Sequence, residues 1–459
     1  MRRLAVQVRP PAFIFYIMSP LLFSVSGLRG IVGEDITPEI VIKYSKAFAL
    51  ANGGIKYIVG QDTRPHSTML KYSVIASLLA HGKSVIDIGV VPTPTLLFFV
   101  REKDADGGIM ITASHNPIEW NALKFVKKGG VFTTGEDIEH IKGYLDTTPY
   151  IHWNEIKTVH QNIQAVKDHI DKILAHPFIN VDEIRKKRFK VACDCVNGAA
   201  YRAIPELLRR LNCDVIELNC EPSGIFPHNP EPKRENLKEL DKILKNGQAD
   251  IGFATDPDGD RLVIGIKDTG ILSEEYTVPL ASYYVLKKKK GPIVVNLSTS
   301  MLIEKIASMF KVKIHRTPVG EANVVEKMIQ IGALIGGEGN GGVIFPEINP
   351  TRDSLTGIAL ILSLAAEENL EEIYAKLPEY FLKKERLEFT GNLPIEKIKK
   401  EFKGAHYDER DGIYIRFKRK WVHIRKSNTE PILRIYAEAP EPEEVEKLIQ
   451  KVRDIILPH

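Results

Sequence analysis

The stretch G-G-I-M-I-T-A-S-H-N-P, residues 107–117, decides how the chain is read. Its first half is a short apolar run opened by two glycines, and its second half is made of turn formers. That pattern fits a buried strand delivering a loop to a site. Ser114 therefore stands on a presented turn, with His115 beside it and Lys124 on the segment that follows. A hydroxyl placed this way is able to serve as a nucleophile, a phosphate carrier or a metal ligand. An ordinary turn satisfied by Ser, His and Asn reads the same, so the choice falls to the rest of the chain.

Strand and helix alternate outward from this point. Upstream lie a helix over 38–51, a strand over 55–60 and the loop 61–67 with Arg64. The next helix, to about 79, sets Leu70, Val74 and Leu78 on one face. A strand over 84–89 then ends in V-P-T-P before a short helix. Such alternation implies an α/β fold of mixed, largely parallel sheets covered by helices. Ligands bind beyond the carboxyl ends of such strands, where the Ser114 loop lies. Nearer the start, S-V-S-G-L-R-G at 24–30 sets Arg29 between Gly27 and Gly30. A guanidinium fork matches phosphate oxygens, and glycine lets backbone come close.

Downstream, a polar stretch over 150–175 reads as helical and as the first connection between domains. A second alternation follows: strand 189–195, the turn V-N-G-A, helix 200–211, strand 213–218, a Pro-rich segment 221–233, helix 237–245 and strand 249–254. That last strand ends in D-P-D-G-D-R, residues 256–261. Asp256, Asp258 and Asp260 alternate, and Pro257 and Gly259 force a tight turn, so three carboxylates converge where a hard cation relieves their repulsion. The Glu that would complete a calcium loop is missing; three oxygens suit Mg²⁺, which keeps waters and phosphate oxygens in its octahedron.

A third alternation runs from 276: helix, the basic turn 287–290, strand 292–297, helix 301–310 and strand 313–317. Two glycine-bearing loops follow, T-P-V-G at 317–320 and G-G-E-G-N-G-G at 336–342. The second lacks both the dinucleotide and the Walker spacing, and presents Glu338 and Asn340, suited to the hydroxyls of a polyol. The end of the chain changes character. Strands over 384–390, 413–417, 421–424 and 431–438, with helices over 394–402 and 441–456, make a small α+β domain. Between two of its strands lies R-K-S-N-T-E-P, 425–431, where Arg425, Ser427, Asn428 and Thr429 read either as a compact oxyanion cradle without a metal or as an ordinary hairpin turn.

A chain of 459 residues exceeds a single core and divides into several domains at roughly 100–200 residues each. The divisions read as an N-terminal extension 1–18, a first domain 19–160, a second 161–270 with the acidic loop, a third 271–372 with the glycine-rich loop, and a fourth 373–459. With 44% hydrophobic residues, 27% charged and a formal net charge of +4, composition gives no warrant for nucleic acid or membrane as a partner. Homo-oligomerisation is left open. Four cysteines are too few for a disulfide framework. Cys193 and Cys195 alternate on a strand, nothing nearby in sequence supplies a second ligand pair, and they read as structural thiols in a reducing cytoplasm. Arg2, Arg3 and Arg9 precede an apolar patch over 12–23, but Pro10, Pro11 and Pro20 interrupt it and no cleavage site follows, so it is neither a signal peptide nor long enough to span a bilayer. Met18 reads as an alternative start, with residues 1–17 as an extension.

Taken together, S-G-L-R-G, T-A-S-H-N-P, D-P-D-G-D-R, G-E-G-N-G-G and R-K-S-N-T-E-P, in this order from about Ser24 to the end, resemble the α-D-phosphohexomutase family. The resemblance implies three related α/β domains and a smaller C-terminal domain around a central cleft. It implies that Ser114 carries a phosphoryl group and that Asp256, Asp258 and Asp260 hold Mg²⁺ with a phosphoserine oxygen. His115 and Lys124 would move protons, with Arg29 and Arg261 supporting the phosphoserine and the developing charge. Thr317, Gly320, Glu338 and Asn340 would orient a sugar ring, and Arg425, Ser427, Asn428 and Thr429 would grip the phosphate not being transferred. The implied reaction interconverts hexose 1- and 6-phosphates through hexose 1,6-bisphosphate. Two departures bear on substrate: Val25 replaces the usual Thr, and the glycine-rich loop ends Asn-Gly-Gly where many mannose or glucose enzymes carry Ser-Gly-His. The latter is similar to archaeal-type phosphoglucosamine mutases, with phosphomannomutase or phosphoglucomutase activity as the alternative. A Mg²⁺-dependent phosphatase and a non-catalytic sugar-phosphate binding protein are the rival readings. Ser114 and Lys124 argue against the binding protein, because binding needs no phosphoryl carrier.

Overall fold

Three sheets of the protein repeat one strand order. The computed structural model describes residues 21–147, 150–426 and 432–457; the extension 1–18 with Met18, and Ser427, Asn428 and Thr429, lie outside these. The first unit opens with β1 (Leu22–Ser24), β2 (Gly27–Ile31), α1 (Pro38–Asn52), β3 (Lys56–Gln61), α2 (Ser67–Ala80) and β4 (Ser84–Val90). It continues with α3 (Thr93–Glu102), β5 (Gly107–Ile111), β6 (Trp120–Lys127), β7 (Val131–Phe132), α4 (Gly135–Lys142) and β8 (Val159–Gln161). The second holds α5 (Ala165–Leu174), α6 (Val181–Lys187), β9 (Lys190–Asp194), α7 (Ala203–Arg210) and β10 (Asp214–Leu218). Then come α8 (Lys238–Lys245), β11 (Ile251–Thr255), β12 (Leu262–Ile266) and β13 (Gly270–Ile271).

The third unit runs through α9 (Thr277–Lys288), β14 (Ile293–Asn296), α10 (Leu302–Phe310), β15 (Ile314–Thr317) and α11 (Glu321–Ile331). It ends with β16 (Ile335–Glu338), β17 (Gly342–Phe345), β18 (Asn349–Arg352), α12 (Ser354–Glu367) and α13 (Leu370–Ala375). The fourth is β19 (Phe381–Glu388), α14 (Ile395–Glu401), β20 (His406–Asp408), β21 (Ile413–Arg416), β22 (Trp421–Lys426), β23 (Ile432–Ala439) and α15 (Pro442–Ile456).

Sheet two is ordered β10-β9-β11-β12-β13 and sheet three β15-β14-β16-β17-β18, while sheet one contains the same succession as β4-β3-β5-β6. In each, the first three of these strands are parallel and the fourth turns back antiparallel. Parallel pairing, expected to be widespread, therefore lies in the core of each sheet, and antiparallel strands complete the mixed sheets. The fourth sheet is antiparallel throughout. The repeat has a consequence for function: T-A-S-H-N-P, D-P-D-G-D-R and G-E-G-N-G-G occupy the same connection, from the third strand to the fourth, in the three units.

The strands that deliver these loops are buried along their whole length, β5 and β11 at every residue, as parallel strands covered on both faces must be. Helix α12 is buried almost all round, so its apolar sequence carries no amphipathic signal; Asp353 caps it by accepting from the N–H groups of Leu355 and Thr356. One apolar cluster joins Leu96 and Phe99 of the first unit, Ile170 and Leu207 of the second, and Leu280 and Leu360 of the third. At roughly 1.5–3 kcal/mol for each large side chain fully buried, this shared core fixes the three loops relative to one another. The fourth unit has its own core and docks on the third through Tyr414 and Trp421 against Leu297 and Met301.

The stretch over 150–175 differs from its helical expectation. Apart from a single 3₁₀ turn at Trp153–Glu155, helix starts only at Ala165, and before it β8 adds to the edge of the first sheet beside β4; a strand of three exposed residues has no hydrophobic alternation by which to be seen. Among the described residues no helix is long and apolar enough to cross a membrane.

Candidate active site

Ser114 is held in a left-handed backbone conformation, φ +52°, uncommon for a residue with a side chain and retained only where surroundings enforce it. Arg64 does the enforcing. Its guanidinium donates to the carbonyls of Ser114 at 2.9 Å and Asn116 at 2.6 Å, and is itself paired with buried Asp62. Thr112 Oγ1 accepts the Ser114 N–H at 3.0 Å. The turn so fixed aims Ser114 Oγ at the acidic loop of the second unit, where it donates to Asp256 Oδ2 at 2.7 Å.

Asp256, Asp258 and Asp260 are buried, and one carboxylate oxygen of each lies within 4.8 Å of the others. Burial, and then Asp260 and Asp258, force the Asp256 carboxyl well above its ordinary range. Burial pushes Asp258 the same way, but Lys124 Nζ at 2.6 Å and Thr93 Oγ1 at 2.6 Å outweigh it and hold Asp258 well below. Lys124 also lies 3.5 Å from Asp260. Against the cost of burial, Asp258 and Asp260 keep the Lys124 ammonium protonated, its pKa raised. Asp258 Oδ1 and Asp260 Oδ1 are buried with no hydrogen-bond partner. Orphaned carboxylate oxygens at that spacing fit a hard divalent cation.

The remaining sequence-predicted residues converge from three directions. Arg261 donates to His115 Nδ1 at 2.8 Å, and burial followed by the charges of Arg261 and Arg29 holds His115 well below its ordinary value, so the imidazole is neutral. Arg29 bonds Asn116 at 2.7 Å, and burial brings its pKa down to about 10. On the third unit, Glu338 Oε1 accepts from Asn296 at 2.8 Å and from the N–H of Gly320 at 3.1 Å, joining the two glycine-bearing loops. Thr317 pairs in register with Asn296; its hydroxyl bonds Pro318 O, and Asn340 caps the N–H of Gly342. On the fourth unit, Arg425 is held by Asp411 at 3.0 Å, and the other Asp411 oxygen accepts the Val319 N–H at 3.0 Å. Arg425 is thus tied to the T-P-V-G loop through Asp411.

Sequence reasoning missed the group that unites the halves. Arg352, at the end of β18, places one nitrogen 2.6 Å from Asp260 and another 3.2 Å from Glu338, while Nε bonds Glu321 at 2.9 Å. It sits in N-P-T-R-D without the glycine punctuation that marked the other loops; only the repeat of strand order would have drawn attention to it. Thr93, donating to Asp258 from the start of α3, was missed for the same reason.

Models of the phosphoglucomutase/phosphomannomutase α/β/α domains I, II and III match residues 20–152, 167–270 and 273–381, and that of the C-terminal domain matches 372–455. A probable phosphoglucosamine mutase from Methanopyrus kandleri is 35% identical over 444 residues, 95% of this chain and 97% of that protein. A phosphoglucomutase/phosphomannomutase from Thermococcus kodakarensis is 37% identical over 445 residues, 94% of this chain and 97% of that protein. A putative phosphomannomutase from Thermus thermophilus superposes with a TM-score of 0.82 at 26% identity, covering 96% of this chain and all of that one. Four domain matches in order and relatives aligned over nearly their whole length leave one placement: the chain belongs to the phosphoglucomutase/phosphomannomutase family of phosphohexomutase isomerases.

Proposed function

We propose that the protein is a phosphoglucosamine mutase, moving a phosphoryl group between the 6- and 1-positions of the amino sugar by way of phospho-Ser114 and a hexose 1,6-bisphosphate. The observation that carries the reading is the 2.7 Å contact of Ser114 Oγ with Asp256, inside a buried acidic cluster with two orphaned oxygens. A phosphatase needs no such carrier, and a binding protein needs neither carrier nor cation.

In the first half-reaction the free sugar hydroxyl attacks phosphorus, the new P–O bond forms as the P–Oγ bond of Ser114 breaks, and the hydroxyl proton leaves to a base. Neutral His115 is suited to take or relay a proton, and protonated Lys124 to supply one to the departing oxygen. The bisphosphate then turns over and the second half-reaction runs in reverse with the other phosphate. Asp256, Asp258 and Asp260 would hold Mg²⁺, which when bound supplies charge neutralisation for the phosphoryl oxygens. Arg29 and Arg261 add fixed positive charge at the same place. Glu338 and Asn340 orient the ring, and Arg425 with Ser427, Asn428 and Thr429 holds the distant phosphate, so binding energy far from the reaction supplies positioning.

The choice of glucosamine rests on the Asn-Gly-Gly ending of the sugar loop, supported by relatives named for that substrate. The test is a set of mutase assays with glucosamine, mannose and glucose phosphates in Mg²⁺ with catalytic hexose 1,6-bisphosphate. Wild type should isomerise glucosamine phosphate fastest, and Ser114→Ala should lose isomerisation by about 10⁴-fold or more, as when a covalent nucleophile is removed. A different ranking renames the substrate; free phosphate as the main product sinks the mutase reading.

A further inference from the structure

The second unit carries another cluster, of opposite chemistry to the acidic one. Cys193 lies on β9 and Cys195 just past its end, both fully buried and on the same side of the strand. The neighbouring parallel strand β10 pairs Leu218 with Asp194, and Asn219, at φ +51°, turns the chain back. That turn brings in Cys220, a residue sequence spacing did not connect to the pair. The Sγ atoms of Cys193, Cys195 and Cys220 all lie within 4.8 Å of one another. No disulfide joins them.

We propose that Cys193, Cys195 and Cys220 form a binding site for a thiophilic d¹⁰ metal ion, Cu(I) or Zn²⁺, held by three thiolates. Zinc–sulfur bonds of about 2.3 Å set three sulfurs roughly 3.8–4.0 Å apart, within the observed spacing. Soft sulfur selects such ions over the hard cation suited to the Asp loop. Access comes from one side: Cys220 is half-buried and opens onto a surface pocket of about 520 Å³ that also presents Tyr201, Arg202, Arg209, Arg210 and Glu217. Binding displaces the protons of the three thiols. The site is not remote from the reaction centre, because the loop after Cys195 bonds Pro257 O through the Ala199 N–H at 2.7 Å.

The test uses the reduced, full-length protein with Mg²⁺ in excess to occupy the carboxylate loop, titrated anaerobically with Cd²⁺ as the probe. A sulfur-to-cadmium charge-transfer band should grow and saturate at one ion per chain, be lost in Cys220→Ser, persist in Cys213→Ser, and be displaced by Cu(I). Bound Cd²⁺ should also protect Cys220 of the wild type from alkylation, a readout independent of how the variants fold. No band, or a band unchanged in Cys220→Ser, or alkylation of Cys220 indifferent to Cd²⁺, would overturn the site.

Discussion

The loops after β11 and β16 occupy the same connection in units of the same topology, yet they treat their acids in opposite ways. In the first, Asp258 and Asp260 keep buried oxygens without hydrogen-bond partners. In the second, both Glu338 oxygens are taken, one by Asn296 and Gly320 and the other by Arg352. The strand order sets where a loop stands; the partners supplied around it set what it does. An under-satisfied acidic turn is prepared for an incoming cation, whereas a satisfied carboxylate is already oriented and is suited to position rather than to bind an ion. The two loops also touch, Leu262 donating its N–H to the Gly341 carbonyl at 3.1 Å. At Gly341 a Cβ would fall 2.2 Å from the Leu262 oxygen, so the contact demands glycine.

Arg352 is where the comparison is most easily broken, because it serves both loops. Replacing it with Met leaves Asp260, Glu338 and Glu321 without their shared cation, and losing one partner of a buried charge pair costs about 3–5 kcal/mol. Thermal unfolding of Arg352→Met should show a loss of that order, with kcat/KM falling as well. A melting temperature close to wild type would mean that the loops are independent.

The next effect sharpens the difference. Asp258→Asn should lower kcat by about 10²–10³-fold, the usual cost of removing one group that stabilises developing charge, and should weaken Mg²⁺ binding measured by titration. Glu338→Gln keeps the shape and loses a charge-assisted bond worth about 1.5–3 kcal/mol, and should act mainly through KM for the sugar phosphate. Equal losses of kcat in the two variants would erase the distinction between an ion-binding and a positioning loop.

Much of this was readable beforehand because glycine and proline punctuate the loops. T-A-S-H-N-P, D-P-D-G-D-R and G-E-G-N-G-G each show where a buried strand ends and a turn begins, and the structure brings their side chains together. Arg352, Thr93 and Arg64 were not assigned roles, since each acts on a loop far from it along the chain: Arg352 and Thr93 on the acidic loop, Arg64 on the carbonyls of Ser114 and Asn116. Cys220 is the same case: its approach to Cys193 and Cys195 depends on the parallel register of β9 and β10. Helix α12, apolar on every side, and β8, exposed on every residue, lacked the periodicity that reveals an element.

The smallest expected effect concerns an acid beneath the glycine-rich loop 336–342 whose nearby cation stands off at 3.6 Å and whose Oε1 accepts no hydrogen bond. Glu275 accepts the Ser300 N–H at 2.9 Å, and its carboxyl stands where a Cβ on Gly339 would fall 2.3 Å from Oε2. Lys384 approaches to 3.6 Å, and Glu274 and Glu438 also face it. Burial, only partly opposed by Lys384, pushes Glu275 from its reference of 4.5 up to about 8. The folded protein thus holds this proton more tightly than the unfolded chain. Its stabilisation is complete below 4.5, declines as pH rises between 4.5 and 8, and is gone above about 8. Within the folded enzyme the charge itself appears only around 8, directly against Gly339, so KM for the sugar phosphate should rise there while kcat changes less. Glu275→Gln, which stays neutral, should flatten both the decline in melting temperature and the rise in KM. If the variant titrates as wild type does, the sugar loop is indifferent to Glu275, and the pH dependence belongs to the ionisable groups of the acidic loop instead.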